Sequence, residues 1–365
     1  MKPLKLAVIG AGHLGRIHAK LLAEMPDVEL IGIADPLPPA REKVAADCHA
    51  KAYADHRELL GLVDAAVIAT PTRHHHAVAL DFLRHGIPLL VEKPLACNLA
   101  EAEELVQTAE RAGAIVQVGH IERFNPAFVA AAAHVHKPRY VEAVRASGFT
   151  GRSVDIGVVH DLMIHDIDLL LSLVASPLAS ISALGVAILG RHEDVAQARL
   201  EFENGCVASL SASRVSFSPT PRRQMQIWCA ESFAAVDFSD RSVSVVRPCQ
   251  AVLDREFDFE SLSVDERAGF KDRVFQDILP VERLAVESRN ALVDELRDFL
   301  DSIRSARAPR VTGQHGRDAV AVAERILQAI AAHASQAGRP RPVASPPILR
   351  GPHWPDPHPA RREAG

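Results

Sequence analysis

Three features of this 365-residue sequence predict an α/β fold in two parts. A doubly wound parallel sheet comes first, and an α+β part with a mostly antiparallel sheet follows it. Up to about residue 120, short apolar runs alternate with amphipathic helical segments. A glycine-rich turn follows the first apolar run, and beyond residue 120 apolar and polar residues alternate as they do in half-buried strands.

The first part is predicted to contain five strands joined by helices. The carboxyl ends of parallel strands lie at one edge of the sheet, and ligands bind there. The predicted strands are Lys5–Ile9, Glu29–Ala34, Ala65–Ala69, Leu89–Val91 and Ile115–Val118, and the predicted helices are Leu14–Glu24, Pro39–Ala46, His74–Arg84 and Leu99–Arg111.

The turn after the first strand reads Gly10-Ala-Gly12-His13-Leu14-Gly15. Gly10 allows a tight turn, Gly12 lets the backbone approach a pyrophosphate, and Gly15 lets the next helix pack closely on the strand. The start of that helix, at His13 and Leu14, attracts phosphate charge. The motif predicts a Rossmann-type dinucleotide site, the alternative being a glycine turn in another α/β protein.

An acidic residue, Asp35, ends the second apolar run, twenty residues after Gly15. A carboxylate at this position accepts hydrogen bonds from the adenosine ribose and repels a 2′-phosphate. We therefore expect NAD as the cofactor in preference to NADP.

Composition excludes several classes of protein. The net charge of −5 gives no basic footprint for nucleic acid, and no run approaches the roughly 20 apolar residues of a membrane span. The five cysteines lack CxxC spacing, which argues against disulfides and zinc and predicts a cytoplasmic location. The consecutive residues His74, His75 and His76 do not converge on one point of a helix, so we expect no metal site.

The second part reads as an antiparallel sheet interrupted by one helix, Leu162–Val174, with Asn204-Gly205 as a hairpin turn. Its predicted strands are Val141–Ala146, Ile181–Leu189, Ala196–Phe202, Cys206–Ser213, Gln224–Trp228 and Ala234–Phe238, and its closing helices are Ala291–Ser305 and Gly316–His333. We expect a dinucleotide-binding domain over residues 1–121, a substrate and oligomerisation domain over 122–336, and a disordered proline-rich tail over 337–365.

Two loops at strand ends are predicted to line the cofactor. Thr70, Pro71 and His75 follow the third predicted strand, and Glu92 and Lys93 follow the fourth. Glu-Lys at a strand end can serve solubility alone. At the ligand-binding edge, however, a lysine can hydrogen-bond a substrate hydroxyl and stabilise negative charge on its oxygen.

The helix near residue 165 carries one polar stripe, formed by Asp161, His165, Asp168 and Ser172. The stripe is either a solvated face or the wall of a cleft, and its lack of Lys, Glu and Arg favours the cleft. A histidine one turn after an aspartate suits a general base oriented by a carboxylate.

Polar residues at the predicted domain junction are candidate substrate ligands. Arg123 and Asn125 can contact a sugar or a phosphate, the alternative being a structural linker with an Asn-Pro turn. Arg214 and Arg223 add positive charge that holds an anionic substrate or is merely exposed.

Five ordered motifs resemble the glucose–fructose oxidoreductase/inositol dehydrogenase/MocA (Gfo/Idh/MocA) family. They are GAGHLG (10–15), ATPT followed by His75 (69–75), EKPL (92–95), ERFNPA (122–127) and DLMIHDIDLL (161–170), and the resemblance extends to the closing helices. It implies that Lys93, Asp161 and His165 are catalytic and that the second sheet forms a homo-oligomer interface.

Within the family, VGHIERFNPA, DIGVVHDLMIHDIDL and ASRVS followed by paired arginines resemble the branch that acts on UDP-N-acetylglucosamine. That resemblance implies oxidation of the sugar 3-hydroxyl, with the ketone passed to an aminotransferase for a diaminosugar lipid A. The alternatives are a different sugar or cyclitol dehydrogenase, such as one for myo-inositol, a non-catalytic NAD-binding regulator, and a reductase working in the opposite direction.

Overall fold

The computed structural model of the protein describes residues 2–151, 156–218 and 220–337. Its first sheet has six parallel strands in the order β3-β2-β1-β4-β5-β6, the doubly wound arrangement that the sequence predicts. The strands are β1 (Leu4–Ile9), β2 (Val28–Ala34), β3 (Lys51–Tyr53), β4 (Ala65–Ile68), β5 (Leu89–Glu92) and β6 (Val116–Gly119).

Four helices connect these strands, and capping residues define both ends of the last one, α4. In α4, the Asn98 side chain accepts a hydrogen bond from Glu101 N at 2.9 Å, and the helix ends at Gly113 in the left-handed conformation. The four helices are α1 (His13–Ala23), α2 (Pro38–Asp47), α3 (His75–Leu83) and α4 (Leu99–Ala112).

The second sheet has eight strands in the order β14-β13-β12-β11-β7-β10-β9-β8. All its neighbouring pairs are antiparallel except β7 with β10, so the predicted, mostly antiparallel sheet is confirmed. The strands are β7 (Tyr140–Ala146), β8 (Leu178–Val186), β9 (Val195–Phe202), β10 (Val207–Ser213), β11 (Arg222–Trp228), β12 (Phe233–Asp237), β13 (Ser242–Val246) and β14 (Val281–Leu284).

Further helices belong to this part of the chain and close it. They are α5 (Pro126–Ala132), α6 (Ile164–Leu173), α7 (Gln250–Leu253), α8 (Val264–Arg273), α9 (Ala291–Ser305) and α10 (Gly313–Ala337). A π-helical turn, Val159–Met163, runs directly into α6. This turn matters for the geometry of the site.

Most predicted elements are present, and two of the missed ones, β3 and α5, are short. β3 has three residues and α5 seven, too few to show a periodicity. The Asn-Pro pair, for which a linker turn was the alternative interpretation, starts α5, since the Asn125 side chain caps it and Pro126 takes its first position. The predicted hairpin at Asn204-Gly205 is confirmed, with Gly205 at a φ of 82°.

Helix α9 returns from the second part to pack on the first sheet. Leu296, Phe299 and Leu300 are fully buried in a core shared with β1 and α1. At the surface, Asp27 before β2 accepts hydrogen bonds from Arg297 and Arg304 of the same helix. The two sheets are therefore joined by the chain end as well as by the loop after β6.

Among the residues described, no helix combines the length and apolar character that a membrane crossing requires. The predicted proline-rich tail, residues 337–365, lies outside the described residues apart from Ala337.

Candidate active site

The glycine turn between β1 and α1 has the geometry its sequence predicts. Gly10 has a φ of 101°, and a Cβ added there would lie 2.6 Å from the carbonyl oxygen of Ala69. A Cβ on Gly15 would overlap the carbonyl oxygen of Gly10. Both positions require glycine because the turn, the helix and β4 lie in direct contact.

Gly12 differs, because no atom lies within 4 Å of a Cβ built on it. It precedes α1, and no side chain caps the amide groups of that helix. His13 and the 38%-exposed Leu14 flank this open helix start. Free amides beside open space suit the pyrophosphate of a dinucleotide.

Asp35 lies at the end of β2, next to the glycine turn. Its Oδ2 accepts a hydrogen bond from Ala11 N and its Oδ1 from Leu37 N, each at 2.8 Å. Each carboxylate oxygen keeps a further lone pair, so the group can still accept from ribose hydroxyls. The residues present therefore fit NAD.

His75 joins the two predicted cofactor loops but is itself 1% exposed. Its Nδ1 lies 2.9 Å from the carbonyl oxygen of Pro94 and its Nε2 lies 2.8 Å from that of Thr70. Burial lowers the pKa of His75, and the hydrogen bonds to Thr70 and Pro94 oppose that shift. The geometry favours a role in positioning the loops over the predicted cofactor contact. Pro71 lies exposed beside Thr70.

Glu92 does not point to the cofactor as we predicted. Its side chain is 8% exposed, and its Oε1 lies 2.7 Å from Nε2 of the buried His18 on α1. The prediction failed because the last strand residue and the residue after it project to opposite sides of the sheet.

Lys93, directly after Glu92, reaches into the cleft between the two sheets. Its Nζ donates to the carbonyl oxygen of Asp161 at 2.7 Å and to Oδ1 of Asp161 at 3.1 Å. The two side chains are 14% and 22% exposed. A part-buried ion pair therefore connects the end of β5 to the π-helical turn.

The predicted support of His165 by Asp161 is wrong. His165 Nδ1 is buried and has no hydrogen-bond partner among the described residues, and Asp161 pairs with Lys93. We assumed α-helical spacing between the two residues. Asp161 instead lies in the π-helical turn Val159–Met163, whose wider turn changes the direction of its side chain relative to His165 in α6.

His165 is surrounded by positive charge. Burial lowers the pKa of its imidazole, and Lys93, Arg145, His120 and Arg223 lower it further. The imidazole is therefore neutral at physiological pH and has a lone pair for a proton. A neutral base beside a lysine suits removal of a proton from a hydroxyl.

His120 faces His165 and was given no role in the sequence analysis. The two rings are 6.5 Å apart and nearly perpendicular. Burial lowers the pKa of His120 to about 3, with help from the charges of Lys93 and Arg123. Its position directly after β6, at the ligand-binding edge, is the signal that could have identified it.

Asp168 of the polar stripe and Arg123, both predicted to bind substrate, lie together. The Arg123 Nη1 is 3.7 Å from Asp168 Oδ1, while Asp168 Oδ2 is buried without a partner among the described residues. Burial raises the pKa of Asp168 to about 7, and the charge of Arg123 opposes that shift. These two residues remain candidate substrate ligands.

A buried arginine missed in the sequence lies beneath the site. Arg145 of β7 donates to Glu122 Oε1 and to Asp166 Oδ1, each at 2.8 Å. Burial alone would lower the pKa of Arg145, but the two carboxylates outweigh burial and raise it. The signal was present, because Arg145 shares the inward face of β7 with Val141 and Ala143.

The other predicted substrate ligands divide into two groups. Arg223 pairs with Arg145 across β11 and β7, so both side chains lie on the face turned toward α6. Arg214 instead binds Asp194 Oδ1 at 2.6 Å and donates to Ile156 O, which favours a structural role. Asn125 is also engaged internally, since it caps α5 and donates to Glu122 at 2.9 Å.

Comparison with known proteins identifies the family of the chain. The family described as "Oxidoreductase family, NAD-binding Rossmann fold" matches residues 4–120, and "GFO/IDH/MocA C-terminal domain" matches residues 127–233. UDP-N-acetylglucosamine 3-dehydrogenase from Acidithiobacillus ferrooxidans is 34% identical over 330 residues, 90% of this chain and 98% of the relative. The chain belongs to the Gfo/Idh/MocA oxidoreductase family.

Solved structures place the Gfo/Idh/MocA fold over most of the chain. The structure of the Acidithiobacillus enzyme has a TM-score of 0.79 and 33% identity, covering 91% of this chain and 99% of its own. Levoglucosan dehydrogenase in complex with NADH and levoglucosan shares the fold, with a TM-score of 0.76 at 17% identity. Scyllo-inositol 2-dehydrogenase (NAD(+)) from Bacillus subtilis is 31% identical over 240 residues, 58% of this chain.

This Gfo/Idh/MocA protein is an NAD-binding oxidoreductase, as the glycine turn and Asp35 predict. The predicted family is confirmed as well. The residues predicted to hold NAD in this chain are the glycine turn, the start of α1 and Asp35, with the Thr70 loop beside them.

We expect Gly12→Ala and Gly15→Ala to separate cofactor binding from folding. The Gly12 methyl meets no protein atom, so the free energy of unfolding stays within about 1 kcal/mol of wild type. The same methyl group fills the space that a pyrophosphate approaches. We therefore expect the NADH dissociation constant to rise at least about tenfold. Gly15→Ala costs about 1–3 kcal/mol because the methyl overlaps Gly10. Urea denaturation and NADH fluorescence titration measure both effects, and wild-type affinity in Gly12→Ala contradicts the assigned phosphate site.

Asp168 should make the stability depend on pH. In the folded chain it keeps its proton up to about pH 7, whereas in the unfolded chain it ionises near its ordinary value of 3.8. The unfolded state therefore binds fewer protons, and Asp168 costs stability as pH rises from 4 to 7. Relative to wild type, Asp168→Asn gains roughly 3 kcal/mol between pH 5 and pH 8 in urea denaturation. The exposed Asp301→Asn is the control, and an equal gain in both variants contradicts the assignment.

Proposed function

We propose that this protein oxidises a secondary hydroxyl of a nucleotide sugar with NAD+, at the 3-hydroxyl of UDP-N-acetylglucosamine. One observation supports the chemistry above all others: Lys93 and the neutral His165 face one cleft, at the edge of the sheet that holds the cofactor. The choice of sugar rests on the 34% identity to the Acidithiobacillus enzyme over 90% of this chain.

Proton removal in this scheme belongs to His165. As hydride leaves the carbinol carbon, the hydroxyl proton passes to the free imidazole nitrogen and the C–O bond becomes a carbonyl. NAD+ supplies the hydride acceptor when it is bound. Lys93 donates a hydrogen bond to the same oxygen and stabilises the negative charge that develops on it.

Asp161 acts on Lys93 in this scheme, in place of the histidine support that we first expected. Its carbonyl and carboxylate oxygens hold the Lys93 ammonium at 2.7 and 3.1 Å, which aims the lysine into the cleft. Removal of the Asp161 carboxylate leaves the contact between Lys93 and the backbone carbonyl in place. We therefore assign the Asp161 side chain a role in orienting Lys93.

Positive charge around the cleft suits a diphosphate. Arg223 lies on the face of the second sheet that is turned toward His165, and Arg123 lies near Asp168. Arginine forks bind phosphate oxygens with two hydrogen bonds. A free cyclitol makes no use of these charges, which favours the nucleotide sugar over the inositol-type alternative.

Alanine substitutions of Lys93 and His165 test this mechanism. Each should lower kcat by at least about a hundredfold, because each removes a group that acts on the reacting hydroxyl. NADH affinity, measured by fluorescence titration, should stay within about threefold of wild type. Lys137→Ala and His136→Ala, in an exposed loop before β7, are the matched controls.

The substrate is tested by following NADH formation with a panel of UDP-sugars and free polyols. An aminotransferase with glutamate can be added to consume the ketosugar and draw the reaction forward. Turnover confined to free polyols contradicts the nucleotide-sugar assignment. Turnover that survives in both alanine variants contradicts the mechanism, and no turnover with any member of the panel favours the non-catalytic regulator.

The product of this reaction is a 3-ketosugar that still carries its nucleotide. A ketone at that position is a substrate for an aminotransferase, which installs a 3-amino group. We therefore propose a pathway aminotransferase as the next enzyme, leading to a diaminosugar of the kind used in lipid A.

We also propose that the chain forms a homo-oligomer through the second sheet. Alternate residues of its central strands face away from the helices and keep partial exposure, including Tyr140 and Val144 of β7. Trp228 stacks between Tyr140 and Phe233 on this face, with ring centroids 5.1 and 4.9 Å apart. A wide sheet face with aromatic residues suits association with a second copy.

Light scattering measures this oligomer directly. Wild type should have at least twice the mass of one chain, and Val144→Asp should lower that mass because it places a charge in the centre of the sheet face. Exposed Val281→Asp on the edge strand β14 is the control. A monomeric wild type contradicts the proposal.

A further inference from the structure

Three ionisable side chains form a buried cluster behind the catalytic lysine. They are His18 of α1, Glu92 at the end of β5 and Glu295 of α9, with 0%, 6% and 0% exposure. One ligand atom from each lies within 4.8 Å of the other two. The cluster joins the helix that starts at the glycine turn, the strand that leads to Lys93, and the helix that returns from the second part.

Hydrogen bonding in this cluster is uneven. Glu92 Oε1 lies 2.7 Å from His18 Nε2, and Glu92 Oε2 accepts from Lys93 N at 3.3 Å. Neither carboxylate oxygen of Glu295 has a hydrogen-bond partner among the described residues that would stabilise a charge.

Two buried carboxylates at this separation cannot both be ionised at low cost, because no water screens their repulsion. Donors stabilise the negative charge on Glu92, whereas none does so on Glu295. Burial raises the pKa of Glu295 well above its ordinary value, and the charges of Glu92 and Asp298 raise it further. The proton of the pair therefore resides on Glu295.

We propose that Glu295 carries a proton in the folded enzyme, donates it in a hydrogen bond to Glu92, and so positions the strand end that carries Lys93. Glu92 then accepts hydrogen bonds from three groups: His18 of α1, the Lys93 backbone amide at its own strand end, and Glu295 of α9. Glu295 is a positioning residue, since it acts on Lys93 only through Glu92. Its catalytic consequence rests on the function proposed above for Lys93.

These three side chains could instead bind a metal ion. Ligand atoms held about 2 Å from one zinc ion at tetrahedral angles lie about 3.3 Å apart. His18 Nε2 and Glu92 Oε1 are only 2.7 Å apart, the length of a strong hydrogen bond. This short contact favours a hydrogen-bonded cluster over one that binds a metal ion.

Infrared difference spectroscopy at neutral pH tests the protonation without any substrate. The difference between the full-length protein and Glu295→Gln should contain the C=O stretch of a protonated, buried carboxylic acid, distinct from the band that Asp168→Asn removes, since Asp168 is also buried and partly protonated near pH 7. Glu103→Gln, which removes an exposed glutamate from α4, should keep the band. Absence of the band in wild type, or its persistence in Glu295→Gln, overturns the proposal. Stoichiometric metal that copurifies with wild type but not with Glu295→Gln also overturns it.

Activity then tests the positioning. Glu295→Gln retains a side-chain donor, and its kcat at neutral pH should stay within about twofold of wild type. Glu295→Met fills similar volume without a donor, and its kcat should fall about tenfold while the KM for NAD+ changes less than about twofold. Equal kcat in the Gln and Met variants overturns the positioning role.

The pH profile adds a readout that packing alone does not move. When Glu295 ionises at alkaline pH, it repels Glu92 and disturbs the strand end, so wild-type kcat should decline there. Glu295→Gln cannot ionise and should keep its activity over the same range. An identical alkaline decline in both proteins overturns the link to Lys93. If Lys93→Ala remains active while the infrared band is present, the proposed function fails and the protonation of Glu295 stands.

Discussion

The two residues at the carboxyl end of β5 impose the constraint on which the rest of the site depends. Glu92 faces the interior and binds His18, whereas Lys93 faces the cleft and binds Asp161. Consecutive residues of an extended strand project to opposite sides, so neither can move without the other. The interior contact reaches the helix of the glycine turn, and the cleft contact reaches the second part of the chain.

Electrostatics in the cleft keep its imidazoles neutral. Burial lowers the pKa of His165, and the charges of Lys93, Arg145 and Arg223 lower it further. The same arginine, Arg145, is held in place by the carboxylates of Glu122 and Asp166. The two carboxylates offset the charge of this buried arginine, so no unpaired arginine charge is left in the core. The arrangement suits a reaction in which an alkoxide-like oxygen forms.

The sequence predicted the parallel sheet and the glycine turn well because both depend on local patterns. The apolar strand, the glycines and Asp35 lie within one β-α-β unit, and their spacing determines their positions. Contacts between elements that are distant in the sequence were harder to predict. The pairing of Lys93 with Asp161 spans 68 positions, and that of Arg145 with Glu122 spans 23. Nothing in the local pattern of either segment identifies its partner.

Roles were also misassigned where a motif residue faces the interior. His75 and Glu92 belong to motifs at the ligand-binding edge, yet both are buried and hold neighbouring segments together. Residue spacing locates such positions at the edge of the sheet. It does not determine whether a side chain points to the ligand or to the support beneath it, because that depends on packing.

The π-helical turn before α6 makes the site sensitive to the length of this segment. Each residue of an α-helix turns the chain by about 100°. Loss of one residue between Val159 and Met163 would therefore rotate His165 and Asp168 together, away from Lys93, while leaving the apolar content of the helix nearly unchanged. Substitutions in this turn change one side chain at a time, whereas a single deletion would dismantle the cleft wall and leave a folded helix in its place.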